Sequence, residues 1–198
     1  MKLASLLVPS LRAGLAGLAL LWSGCAPAAG WNLQTLAQAL AQYHGGRADF
    51  TETKTLAMLD KPIESSGELR FAAPDFLQMR TLKPKPQTLT LMGNQLTLEM
   101  GGRSQQFDLR DHPDIATLID GIRATLNGDL TTLQKHYALT LEGQEAQWTL
   151  TLVPRDGKAR EHVRDIRIGG RAGAVRTVTV EQGDGDRSVM RITPVASP

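Results

Sequence analysis

Four histidines, one cysteine and 20 acidic residues are the side chains with which this 198-residue chain could do chemistry. His44, His112, His136 and His162 are too widely spaced for the short repeats by which imidazoles share a metal, and no HExxH pair occurs. Cys25 is the only cysteine, so neither a zinc–thiolate cluster nor an internal disulfide can form. No serine stands in a G-x-S-x-G elbow, and no glycine-rich loop follows a strand to hold phosphate. Asp184-Gly185-Asp186 lacks the further acidic ligands of a calcium loop and reads as a turn. Two carboxylates could still meet from distant positions to hydrolyse a glycoside. Aromatic residues, the usual platforms for sugar rings, make up only 5% of the chain. The reading therefore turns from catalysis, metals and cofactors, of which none is expected, to binding.

The amino terminus has the layout of a secretion leader. Lys2 and Arg12 precede an apolar run from Ala13 to Trp22, and small residues follow in Ala26-Pro27-Ala28-Ala29. The run is far shorter than the roughly 20 residues of a membrane-spanning helix. Residues 1–29 are read as the leader and residues 30–198 as one domain, a length suited to a single core. Cys25 has two readings. It is lost with the leader, or Ser23-Gly24-Cys25 is a lipobox and Cys25 becomes the acylated first residue of a lipoprotein. Both place the protein outside the cytoplasm. Losing Lys2 and Arg12 leaves 20 of the 22 basic residues against 20 acidic ones, without blocks of like charge, so nucleic acid is not an expected partner.

Two periodicities organise the rest. Leu33, Leu36, Leu40 and Tyr43 recur at helical steps after a capping Asn32, and Gly45-Gly46 is expected to end that helix. A period of two follows. Strands are expected over Asp49–Leu59, Ile63–Phe71, Phe76–Leu82, Gln87–Met92 and Gln95–Met100, joined by Pro- and Gly-containing turns. In Ile63–Phe71, for example, Ile63, Gly67, Leu69 and Phe71 share one face while Glu64, Ser66, Glu68 and Arg70 share the other. A helical interruption is capped by Asp111, carries Pro113 in its first turn, and displays Ile115, Leu118, Ile119, Ile122 and Leu126 as one stripe. Asn127-Gly128 closes it, and Asp129 opens a shorter helix with Leu130 and Leu133 inward. Strands resume at Leu139–Leu141, Trp148–Leu152, Val163–Ile168, Val175–Val180 and Ser188–Ile192, and the tail after Thr193 is expected to be loose. About ten sequential antiparallel strands coil rather than stay flat, and the amphipathic helices need the concave face of that sheet. Periodicity alone leaves open whether Leu89, Leu91, Leu96, Leu98 and Met100 fill a core or line a cavity.

The order of these elements resembles the periplasmic lipoprotein-carrier family known as LolA. The likeness runs from helix Asn32–His44 through Ala48-Asp49-Phe50-Thr51-Glu52. It is strongest at Gly67-Glu68-Leu69-Arg70-Phe71-Ala72-Ala73-Pro74, and continues through Phe76–Leu82, the Gly93-Asn94 hairpin and the helical insertion. The resemblance implies an α+β fold: a curved antiparallel sheet of about eleven strands forming an incomplete barrel, with an N-terminal helix and a central helical lid. It also implies a carrier that takes a lipoprotein or lipid from an inner-membrane exporter to an outer-membrane acceptor across the periplasm, as a monomer and without a cofactor. The implied acyl-chain cavity takes Phe50, Leu69, Phe71, Leu77 and Met79 from the first strands. Leu89, Leu91, Leu96, Leu98 and Met100 follow, with Trp148 and Leu150 from the later ones. Ile115, Leu118, Ile119 and Ile122 are the implied lid. The family has a lid-holding arginine before the signature proline; here that position is Ala73, and Arg70 falls on the polar face. Ser65–Leu69 and Asp186–Met190 are more similar to a divergent branch associated with acyltransferases and lipid exporters, which opens the cargo to lipids other than standard lipoproteins. The rival readings are an acceptor of the same fold anchored through Cys25, a sensor or scaffold that regulates a partner, and a hydrolase.

Overall fold

The two-residue period becomes one antiparallel sheet of eleven strands in the computed structural model, which describes residues 30–195. The expected leader and Cys25 lie outside the described residues. Six strands come first: β1 (Gly45–Thr55), β2 (Ile63–Ala72), β3 (Phe76–Lys83), β4 (Gln87–Met92), β5 (Gln95–Met100) and β6 (Arg103–Asp108). Five follow the helical interruption: β7 (Tyr137–Gln144), β8 (Gln147–Pro154), β9 (Val163–Arg171), β10 (Ala174–Gln182) and β11 (Arg187–Val195). The spatial order is β6-β5-β4-β3-β2-β1-β11-β10-β9-β8-β7. Every pairing joins neighbours in sequence except β1 with β11, which splices the two halves at the centre of the sheet. Within the described residues β6 and β7 remain edges, so the barrel is incomplete, as the resemblance implied.

Helix α1 (Leu33–Ala41) starts at Asn32, whose side chain accepts hydrogen bonds from the backbone N–H of Gln34 and Thr35 while Thr35 Oγ1 accepts from Asn32 N. It stops before the expected glycines, because Gly45 and Gly46 already belong to β1, opposite Ala72 and Phe71. A Cβ on Gly45 would stand 2.8 Å from the Phe71 carbonyl oxygen, so close strand approach, not helix termination, requires glycine there. β6 and β7 are joined by a 3-10 turn (Leu109–Asp111), α2 (Pro113–Leu126) and α3 (Leu130–His136). Asp111, the expected cap of α2, ends the 3-10 turn instead, and His112 takes the cap position without a side-chain bond. Gly128 has a φ of +64°, and a Cβ there would come within 2.1 Å of the Ala37 carbonyl oxygen, so glycine permits both the turn and the contact with α1.

Three further expectations are corrected. β6 was not foreseen, because Arg103-Ser104-Gln105-Gln106 offers no apolar alternation; polar residues suit an exposed sheet edge. The short helix α4 (Gly157–His162), capped by Asp156, also escaped notice, since six residues display no stripe. The tail is not loose through Val195, as Pro194 and Val195 pair with Ala48 and Arg47.

Two apolar clusters form. The larger lies on the β7–β10 arm, where Trp148, Leu150, Leu152, Ile166 and Ile168 pack beneath Leu36 and Leu40 of α1 and Leu133 of α3. The smaller joins Leu91 and Leu96 to Leu109 on the β3–β6 arm, with Ala116 and Ile119 of α2 resting against it.

Candidate functional site

Because the curved sheet is incompletely filled by its own side chains, a cavity of about 390 Å³ lies between it and α2. One wall is built from Leu69, Phe71, Leu77, Met79, Leu89, Leu91 and Leu96 of β2 to β5. Val178, Val180, Met190 and Ile192 of β10 and β11 form the opposite wall. Leu118, Ile119 and Ile122 of α2 cover the space, and Leu40 and Tyr43 stand at one end. These apolar lining side chains are aliphatic apart from Phe71 and Tyr43, which leaves that part of the wall adaptable in shape, while Arg47, Arg70 and Gln78 also border the space.

The structure places the remaining sequence-derived candidates elsewhere. Phe50 is buried opposite Gly67 and Ile192 without reaching the lining. Trp148 and Leu150 belong to the packed cluster beneath α1 and α3. The Trp148 indole donates to the Ala172 carbonyl oxygen at 2.8 Å, and its ring occupies the space that a Cβ on Gly170 would need. Along β5 burial fades from Leu96 through Leu98 to Met100, which is half-exposed, as the strand runs past the cover of Leu109 and α2. Ile115 sits in the first turn of α2 and is partly exposed. The four histidines fall in separate places: before β1, at the cap of α2, and at the ends of α3 and α4.

Ala73 makes no side-chain tie to α2; its backbone N–H donates to the His44 carbonyl oxygen. The ties found run from α2 and its C-cap to the sheet turns. Arg123 Nη1 of α2 donates to the Gly93 carbonyl oxygen at 2.8 Å, and Asn127 Nδ2 donates to the Pro74 carbonyl oxygen at 2.6 Å. Donors on the helix and at its C-cap thus grip carbonyls in the β4–β5 and β2–β3 turns. Arg123 is held for this by Asp120. On the other side the Tyr137 hydroxyl of β7 donates to the Thr117 carbonyl oxygen. Its approach needs Gly121, where a Cβ would stand 2.6 Å from the hydroxyl. Burial, with a smaller contribution from the Asp120 charge, pushes the Tyr137 hydroxyl well above its ordinary pKa.

One end of the cavity is polar, which the apolar periodicity did not reveal. Glu52 is only 7% exposed and accepts hydrogen bonds from Ser188 Oγ at 2.6 Å and Ser65 Oγ at 3.1 Å. Lys54 Nζ lies 3.5 Å from the same carboxylate. Glu52, Lys54, Gln182 and Ser188 all line the cavity. The signal was present in the alternation itself, since Phe50, Glu52 and Lys54 share one face of β1.

The architecture is an eleven-stranded open sheet with an amphipathic helix laid over a largely apolar hollow. The chain belongs to the family described as outer membrane lipoprotein carrier protein LolA-like, whose model matches residues 24–196. No curated protein matches the sequence. Solved structures similar to it include a LolA superfamily protein from Nitrosomonas europaea, 11% identical, with 85% of this chain and 96% of that one covered and a TM-score of 0.44. A DUF1329 family protein from Desulfovibrio piger is 13% identical over 81% of this chain and 90% of the other, with a TM-score of 0.47. The MucA/MucB complex from Pseudomonas aeruginosa gives 17% identity over 84% of this chain and 56% of the other, with a TM-score of 0.44. Likenesses of this order assign no function.

Proposed function

We propose that the protein is a periplasmic carrier that holds the acyl chains of a lipoprotein or lipid in this cavity, shields them from water, and moves them from the inner to the outer membrane. The cavity is the observation that supports the reading. Leaving a space of this size unfilled by protein forfeits on the order of several kcal/mol of packing, a cost without purpose unless a guest fills it. Each methylene removed from water contributes about 0.8 kcal/mol, so a chain-bearing lipid has a strong reason to occupy an aliphatic hollow and little reason to cross water without one. Carriage requires binding and release but no bond chemistry, in keeping with the reading of this chain as a binding protein.

Native mass spectrometry of the protein isolated from its own host should show a co-purifying lipid. Leu118→Asp, which places a carboxylate at the cavity roof, should abolish loading while the protein remains folded. A wild-type protein that emerges empty and takes up no fatty chain would instead favour the sensor or scaffold reading.

A further inference from the structure

We propose that the Glu52–Lys54–Ser188 end of the cavity is a head-group subsite for an amphiphile with an uncharged, hydroxyl-bearing head. The inference rests on the reading of the aliphatic part as a chain-binding site. A hollow that only shielded hydrocarbon would have no use for a carboxylate on its wall, because burying that group is costly unless every lone pair is answered. Here it is answered in a particular way. Lys54 is the direct cross-strand partner of Ser188, and Glu52 lies two residues back on the same face of β1, so the three groups converge from two central strands. Glu52 and Lys54 cancel in charge. A phosphate or carboxylate head would meet Glu52, and a quaternary ammonium head would meet Lys54.

Hydrogen-bonding capacity nevertheless remains. Ser188 spends its proton on Glu52 and keeps oxygen lone pairs, and the Lys54 ammonium has three donors, paired among the described residues with the Glu52 carboxylate. Gln182, adjoining the turn that leads into β11, adds an amide with both donor and acceptor. Neutral charge with donors and acceptors side by side matches the hydroxyl group, which is itself both. Placement agrees. Leu40 and Tyr43 stand at the opposite end of the cavity, so the tail would run beneath α2 and the head would rest beside Lys54, whose side chain is half-exposed.

The test is displacement of a fluorescent fatty-chain probe from the purified protein by three sixteen-carbon ligands: 1-monopalmitoylglycerol, palmitate and hexadecyltrimethylammonium. The glyceride should bind about tenfold more tightly than either charged ligand, the increment expected of one or two net hydrogen bonds. Ser188→Ala should lower glyceride affinity alone. Lys54→Met should uncover the Glu52 charge and raise affinity for the cationic ligand. Both changes fall on partly exposed side chains, so folding is retained. Equal binding of the three ligands, or a preference unaltered by both substitutions, would mean the cluster is merely structural and would overturn the head-group subsite while leaving chain binding intact. Failure of the probe itself to bind would overturn both readings.

Discussion

The two arms of the sheet carry the same alternation of apolar and polar residues, yet one is solid and the other hollow. On β8, Trp148, Leu150 and Leu152 are almost fully buried; on β3 and β4, Leu77, Met79 and Leu89 reach only partial burial. The difference comes from what lies across each arm. Helices α1 and α3 drop Leu36, Leu40 and Leu133 onto the β7–β10 arm and fill it. The other arm is met mainly by the 3-10 turn and α2, which touch it through Leu109 and through Ala116 and Ile119 and leave a gap beside them. The packed core and most of the hollow are thereby concentrated in different halves of one continuous sheet, with Val178 and Val180 of β10 bordering both.

The largest expected contrast is in core truncation. Trp148→Ala should cost about 3–5 kcal/mol, as expected for deleting a buried aromatic residue from a packed site. Leu89→Ala, which enlarges a space already open, should cost about 1 kcal/mol or less and mainly weaken fatty-chain binding. Urea denaturation with unchanged m-values decides the matter, and equal costs for the two variants would erase the distinction between the arms.

That distinction was only half legible in the sequence. Period-two residues identified the inward faces of β4 and β8 equally well, because alternation reports which side of a strand is dry and says nothing of what covers it. Filling depends on long-range contacts, as when Leu36 of α1 meets the far arm. The central β1–β11 splice escaped for the same reason: Phe50 and Ile192 lie far apart in the chain and no local signal links them. Glu52 carries no apolar signal, although its parity with Phe50 places it on the inner face. β6 carried no apolar pattern at all. By contrast, Asn32, Pro113 and Asp129 marked helix starts well, since capping chemistry is local.

The next expected effect concerns how α2 is held over the hollow arm. Arg123→Met combined with Asn127→Ala removes both bonds to the Gly93 and Pro74 carbonyls, and should lower stability by about 1–2 kcal/mol. Its functional effect should be of the same size. Dissociation of a fatty-chain probe, followed by stopped-flow fluorescence, should accelerate about tenfold, the kinetic equivalent of that loss. An unchanged rate would show that packing of Leu118 and Ile119, not the bonds, holds α2 down.

Tyr137 tests the solid arm's grip on the same helix. Tyr137→Phe removes the bond to Thr117 and should cost about 1 kcal/mol at neutral pH. Its pKa is raised above the ordinary value of 10.0 in the folded protein, so its stabilising contribution is fully present below that pH and is lost as pH rises towards the folded value. Above pH 10 the wild type should therefore lose stability relative to the phenylalanine variant by up to about 1.4 kcal/mol per pH unit. Parallel curves for the two proteins would show that the hydroxyl reaches water.

The smallest effect is expected at the tip of the hollow arm, where Asp108 ends β6 and caps the turn into α2. Its carboxylate is held down to about 2, first by hydrogen bonds from the Arg110 guanidinium and then by the Arg110 backbone N–H. A lowered folded pKa contributes above the ordinary value of 3.8 and fades as pH falls through about 2, so any contribution is complete at neutral pH. Both partners are at the surface, however, where water and salt screen the pair and ordering two side chains offsets the attraction. In Arg110→Ala the Asp108 titration, followed by NMR, should move up towards 3.8 without reaching it, because the backbone N–H still donates. The urea midpoint should stay where it is. A measurable drop would mean that the hollow arm, short of packed side chains, depends on surface charge for stability that the solid arm draws from its core.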